Sequence, residues 1–337
     1  MTKSETMTHH RSHHLAAALC APLLLFAASC THTHDPAEKP TSTTPTPTST
    51  ATGATPHHAT SHTITSSGKK RTYVLSVPAN ARTNTRIPVI FAFHGHVSSA
   101  REMEKYSGLD KLPALVVYPQ GEPGDPTSPG ASWESAPYAT TNHGAQDSQL
   151  VKDLVTALDN RYPIDHSRIY ATGKSNGGGF AAKLGCTMPT LFAAVAPVSG
   201  AYYDDTHNTR PAGCAAVTAR TRVSIMEVHG TADTTMRYNG GVAHGAPYIS
   251  GGRLVAEFAR RNHCVTPPAT NPPTKDGGQQ FAWSSCPSGA EAVHYKVTDA
   301  GHNWPGSAAP EVGGKGPYVD SFPTTDLIWQ FFSRHHK

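Results

Sequence analysis

Residues 169–180 read IYATGKSNGGGF, and residues 181–186 continue as AAKLGC. A short apolar run ends in Gly173-Lys174-Ser175-Asn176-Gly177, and two more glycines follow directly. Each glycine in a helix interior costs about 1 kcal/mol relative to alanine, so three of them at the head of a helical segment need a reason. Strand, Gly-x-Ser-x-Gly, helix is the context of a nucleophile elbow, a sharp turn that holds a serine in a strained backbone conformation. Gly173 and Gly177 leave room for neighbouring backbone, and Gly178 and Gly179 let the helix lie close on the sheet. The helix N-terminus points its free N–H groups at Ser175, where negative charge would develop during attack on a carbonyl. The spacing G-x-x-x-x-G-K-[ST] is absent, which argues against a phosphate loop. A purely structural glycine-rich turn is the alternative.

The flanking sequence supplies the fold such an elbow requires. RTYVLSVP (71–78) alternates and reads as an early strand; IPVIFAFHG (87–95) and ALVVYPQG (114–121) are continuous apolar runs. QDSQLVKDLVTALDNRYP (146–163) has helical spacing at Leu150, Leu154, Val155 and Leu158. FAAVAPVSG (192–200) and RVSIMEVHG (222–230) read as buried strands, GGRLVAEFARRNHC (251–264) as an amphipathic helix, AVHYKVTDAGH (292–302) as a late strand and TTDLIWQFFSRHHK (324–337) as a terminal helix. Apolar strands alternating with helices predict an α/β fold: a mainly parallel sheet with helices on both faces and ligand-binding loops at the strand carboxyl ends. The Gly-, Pro- and Ser-rich stretch 121–148 is a long loop on that same face, and it sets the shape of the pocket.

A serine nucleophile needs a base, and the base an orienting carboxylate, in the chain order Ser, Asp or Glu, His. Asp233 stands just past an apolar strand and His302 in a loop past the next one. Asp204, Asp205 and Asp299 compete as the acid. The first two follow the wrong strand for the common arrangement, and Asp299 is close enough to His302 to be local structure. His229 and His94 compete as the base and are read as structural. The backbone N–H of Asn176 is one oxyanion donor; the second comes from Gly95 or His96, with His96 preferred.

The 337 residues carry 28 Lys and Arg against 24 Asp and Glu, a net charge of +4 without long blocks of either sign, which argues against nucleic acid as a partner. Residues 1–30 read as a signal segment: a polar basic start, then the apolar run 15–29, too short to span a membrane comfortably. The run ends at Cys30 in FAASC, similar to a bacterial lipobox except for Ala27 where leucine is usual. Lipidation of Cys30 would tether the protein to the outer face of the membrane; plain secretion and a retained apolar anchor are the alternatives. Residues 31–66 are rich in Thr, Pro, Ser and His and read as a disordered linker. Its histidines, His32, His34, His57, His58 and His62, imply no ordered metal site. Residues 67–337 form the catalytic domain, expected to act as a monomer. Cys186, Cys214, Cys264 and Cys286 form no C-x-x-C motif and read as disulfides in an exported chain. Of three pairings, Cys186–Cys214 and Cys264–Cys286 close the shortest loops.

FHGHVSSA, YPQG, RIYATGKSNGGGFAAKLGC, FAAVAPVSG, VHGTAD, YNGG and GHNWPG occur together and in this order. The set resembles the secreted polyhydroxybutyrate depolymerase and feruloyl or acetylxylan esterase group, including LpqC-type esterase lipoproteins. The resemblance runs from about residue 69 to the C-terminus. It implies an α/β-hydrolase fold, with catalytic loops at the strand carboxyl ends, and a serine esterase without metal or cofactor, with Ser175 as nucleophile, Asp233 as acid and His302 as base. It also suggests Trp133 and Trp304 as walls of an acyl pocket. The chain departs from the family in SNGGGF for the frequent SNGGAM, in TMRY for a hydrophobic-proline pair, and in AQDSQ for paired aspartates. The substrates implied are short-chain, feruloyl or acetyl-polysaccharide, or polyhydroxyalkanoate esters. The alternative is an idle hydrolase-fold surface protein that binds wall polysaccharide or a partner.

Overall fold

The computed structural model describes residues 58–79, 81, 85–142, 144–203, 221–265, 267–307, 311 and 313–337. Cys30, residues 31–57, Asp204, Asp205 and Cys214 lie outside the described residues.

The chain enters with β1 (His58–Ser66), which turns into β2 (Lys69–Val77), the two antiparallel along their full length. This corrects the expected linker boundary: residues 58–66 belong to the folded domain. Exposure along 61–66 alternates from residue to residue, as an edge strand requires, with Ile64 packed against the core and His62 stacked on Tyr73 at 5.2 Å. Then follow β3 (Ile87–Phe93), α1 (Ala100–Ser107), β4 (Leu115–Pro119), α2 (Gln146–Asp159), β5 (Ile164–Lys174), α3 (Asn176–Thr187) and β6 (Ala194–Val198). The second half holds β7 (Tyr202–Tyr203), β8 (Ser224–Gly230), β9 (Gly241–Ala243), β10 (Ala246–Ile249), α4 (Gly251–Arg261), β11 (Ala269–Thr270), β12 (Gly278–Trp283), β13 (Ala292–Val297) and α5 (Thr324–Ser333).

Ten strands form one sheet in the order β1-β2-β4-β3-β5-β6-β8-β13-β12-β11. The central run from β4 to β13 is parallel, and the strands outside it are antiparallel. Strands β3, β4, β6 and β8 are buried at every position, which explains their continuous apolar runs. Each sheet face carries its own core. One packs Phe93, Trp133 and Phe180 with α2, α3 and α4; the other packs Tyr118, Trp304 and Phe332 with α1 and α5. A second, three-stranded sheet, β7-β10-β9, stands apart from the main one.

The elbow glycines meet the demands predicted for them. A Cβ on Gly177 would lie 2.1 Å from the carbonyl oxygen of Phe93, and one on Gly179 2.1 Å from that of Ala201, so α3 can approach the sheet only without side chains there. A disulfide joins Cys264 to Cys286, as expected. Cys186 is also disulfide-bonded.

Candidate active site

Ser175 occupies the turn between β5 and α3 with φ 56° and ψ −120°, a conformation L-residues rarely adopt. The turn is clamped to the end of β6: Ser175 N–H donates to Val198 O at 3.0 Å, and Ala201 N–H donates to Ser175 O at 2.8 Å. Strain is therefore held by the neighbouring strand and by glycines that admit its close approach.

Asp233 and His302 leave the ends of the adjacent parallel strands β8 and β13, and their side chains meet. His302 Nδ1 lies 2.7 Å from Asp233 Oδ2. The other oxygen, Oδ1, accepts the backbone N–H groups of Thr235 and Met236, each at 2.8 Å, which fixes the carboxylate plane. Burial opposes ionisation of Asp233, yet the hydrogen bonds from His229 and His302 hold it well below the usual carboxylate range. His302 is secured from the far side by residues 315–317: its N–H donates to Lys315 O at 2.6 Å, and Gly301 N–H donates to Pro317 O at 2.7 Å.

Ser175 and His302 line one cavity of about 30 Å³ together with Gly95, His96, Tyr106 and Lys174. Both are largely covered, at 8% and 3% exposure. Lys174 forms a buried ion pair with Glu311. Burial, and after it the Lys174 charge, lowers the pKa of His302 to about 4 against the pull of Asp233. At neutral pH its imidazole is thus uncharged and free to accept a proton.

Asn176, the first residue of α3, has a side chain with a separate task. Its Oδ1 accepts Trp133 N–H at 2.7 Å, and its Nδ2 donates to Ser135 Oγ at 3.2 Å, stitching the 121–148 loop to the elbow. Asp147 and Glu134 order the rest of that loop. Asp147 accepts from Arg71 at 2.9 Å and from Glu134 N–H at 2.9 Å, and the Glu134 carboxylate caps the first turn of α2 by accepting Asp147 N–H at 3.1 Å, with Ser148 Oγ donating to it at 2.6 Å. The His96 ring lies tilted against Tyr138, centroids 4.3 Å apart, and His96 borders the cavity.

Trp133 and Trp304, expected as pocket walls, are both fully buried and lie outside the cavity lining. Trp133 stacks on Phe180 at 5.4 Å and donates its indole N–H to His94 O at 2.9 Å; Trp304 donates to Thr325 Oγ1 at 3.0 Å. Each found a core partner for its single polar atom, so burial was open to it. His94 is structural, as expected. Its Nε2 accepts Gly121 N–H at 3.0 Å, and burial lowers its pKa to about 4. Asp299 sits in a turn with φ 58°, its N–H donating to Thr231 Oγ1 at 2.9 Å.

The site also uses residues that the sequence did not flag: Lys174 and Glu311, and behind Asp233 the buried group Glu227, His294 and Tyr202. The sequence offered one signal, an acid, Glu227, in the middle of an apolar strand; its direct pairing with His294 appears only in the register of β8 on β13.

The chain is similar to a putative esterase, NocK, of Nocardia uniformis, at 27% identity across 74% of this chain and 75% of that one. It is also 27% identical to feruloyl esterase B of Piromyces equi, covering 69% of this chain but 42% of that longer protein. Among solved structures, an acetyl xylan esterase from Aspergillus awamori shares the fold with a TM-score of 0.55, at 18% identity over 81% of this chain and 99% of that one. Residues 71–241, which include Ser175 and Asp233 and stop short of His302, match the family described as esterase PHB depolymerase. This chain belongs to that family, a carboxylic-ester hydrolase on an α/β-hydrolase fold.

Proposed function

We propose that Ser175, His302 and Asp233 are the catalytic triad, and that the protein is an exported esterase for short acyl groups. The observation that carries the triad is the 2.7 Å contact of His302 with Asp233, in a histidine that shares one cavity with a strained serine at the strand ends.

The chemistry follows from those positions. Ser175 Oγ attacks the ester carbonyl as His302 Nε2 takes its proton. The charge that develops on the carbonyl oxygen is met by the backbone N–H groups of Asn176 and His96. Collapse releases the alcohol, which receives the proton from His302 and leaves an acyl-Ser175. Water then repeats the sequence and frees the acid. Asp233 holds Nδ1–H of His302 in place and stabilises the transient imidazolium.

The cavity of about 30 Å³ beside Ser175 supports an acetyl-sized acyl group in preference to a bulky aromatic one. Export is supported by the basic and apolar start of the chain and by the Cys264–Cys286 disulfide, which suits an oxidising compartment. Anchoring through a lipidated Cys30, as in LpqC-type lipoproteins, is the localisation we favour; Cys30→Ala would then leave the membrane fraction.

A fluorophosphonate probe tests the triad. Mass spectrometry should find the label on Ser175, with labelling lost in Ser175→Ala and slowed in His302→Ala. A folded protein that takes no label contradicts the reading and returns the idle binding protein to first place.

A further inference from the structure

Behind Asp233 lies a histidine whose two ring nitrogens both face acceptors. His229 Nδ1 is 2.9 Å from Glu227 Oε1, and Nε2 is 2.7 Å from the carbonyl oxygen of Met236 and 3.4 Å from Asp233 Oδ2. A carbonyl oxygen can only accept, so Nε2 must carry a proton. Nδ1 must carry one too if Glu227 is ionised, and its surroundings say that it is. Its carboxylate also receives the Tyr202 hydroxyl at 2.9 Å and His294 Nδ1 at 2.7 Å. A Cβ on Gly251, the first residue of α4, would fall 2.3 Å from both Glu227 oxygens. The carboxylate therefore sits at the positive end of an 11-residue helix.

We infer that His229 is a positioning residue charged at neutral pH: an imidazolium, pinned by Glu227, that fixes the catalytic carboxylate of Asp233 and keeps His302 in its neutral, proton-accepting form. The inference rests on the triad reading above. The buried row then runs Glu227 anion, His229 cation, Asp233 anion, His302 neutral. The imidazolium, its Nε2 3.4 Å from Oδ2, holds by charge the oxygen that His302 uses. The positive charge offsets part of the Asp233 charge, so His302 is less inclined to bind a proton at rest. The direction of both titrations agrees: Glu227 is held down to about 2 against its burial, and His229 is raised to about 10 against its own. The other groups facing this row are Tyr238, with its ring 6.0 Å from His229 and its hydroxyl 2.8 Å from His294 Nε2, and Lys174 on the far side of His302.

Three measurements on the full chain decide it. In the wild type, histidine-labelled NMR should show one doubly protonated imidazole at pH 8, absent from His229→Gln; no such signal overturns the inference, and needs no variant to fold. His229→Gln keeps an N–H donor without the charge. The acid limb of its kcat/KM profile should move up by about one pH unit, with KM nearly unchanged. Glu227→Gln should move the limb in the same direction, through loss of the His229 charge. An acid limb that stays put in both variants overturns the inference while leaving the triad intact. Ser175→Ala serves as the control: turnover retained there brings down the triad reading, and this inference with it.

Discussion

Lys174, the residue before Ser175, is ion-paired with Glu311 beside the cavity that Ser175 and His302 line, their side chains 5% and 0% exposed. The pair links the elbow to the segment past Trp304. Removing one partner strands the other charge in a buried site, typically a loss of about 3–5 kcal/mol. Lys174→Met should therefore lower the thermal midpoint strongly, and Lys174→Met with Glu311→Gln should recover most of the loss. The double variant also removes the positive charge that disfavours protonated His302. Its acid limb should lie at higher pH than that of the wild type. Equal thermal midpoints for the single and double variants contradict this picture.

Asp233→Asn tests the orienting carboxylate. The amide cannot hold Nδ1–H of His302 and stabilise a cation as the carboxylate does. A loss of about 10⁴ in kcat is expected with the fold preserved, by analogy with the same change in other triads. Circular dichroism would verify the fold. A loss under tenfold excludes Asp233 as the orienting acid.

Stability should depend on pH through His229 and Glu227. His229 has a folded pKa of about 10 against an ordinary 6.5, so its contribution is full below pH 6.5 and is lost as pH rises through about 10. Glu227 has a folded pKa of about 2 against 4.5, so its contribution is full above pH 4.5 and is lost as pH falls through about 2. The thermal midpoint should drop by about 5 °C or more between pH 7 and pH 10, and His229→Gln should flatten that alkaline limb. An identical alkaline slope in both proteins contradicts the assignment.

The Cys264–Cys286 bridge spans 22 residues and ties the end of α4 to the segment after β12. A loop of that length corresponds to about 3 kcal/mol of chain entropy removed from the unfolded state. Cys264→Ser with Cys286→Ser should lower the thermal midpoint by about 6–12 °C. Activity at 25 °C should persist, since neither cysteine borders the cavity. A midpoint within about 1 °C of wild type contradicts this estimate.

The central strands and the elbow were legible because burial on both faces leaves a continuous apolar run, and because only glycine fits where α3 meets β3. That Asp233 and His302 would meet was legible for a topological reason: successive parallel strands deliver their terminal loops to one face. Strand β1 was not, because HATSHTITS earns its place by pairing its backbone with β2 and buries little apolar surface. The role of Trp133 and Trp304 was not legible either, since an indole serves equally in a core or a pocket wall and only the position of its N–H partner decides. The Glu227–His229–Asp233 row depends on the register of β8 against β13 and on a helix end placed by α4, neither of which is written locally.

Hydrolysis of p-nitrophenyl acetate by the wild-type protein and Ser175→Ala, measured side by side with p-nitrophenyl octanoate and methyl ferulate, tests the central claim most directly. The wild type should cleave the acetate fastest, and the folded Ser175→Ala none of the three. Equal rates from the two proteins, or inertness of a folded wild type toward all three esters, would contradict it.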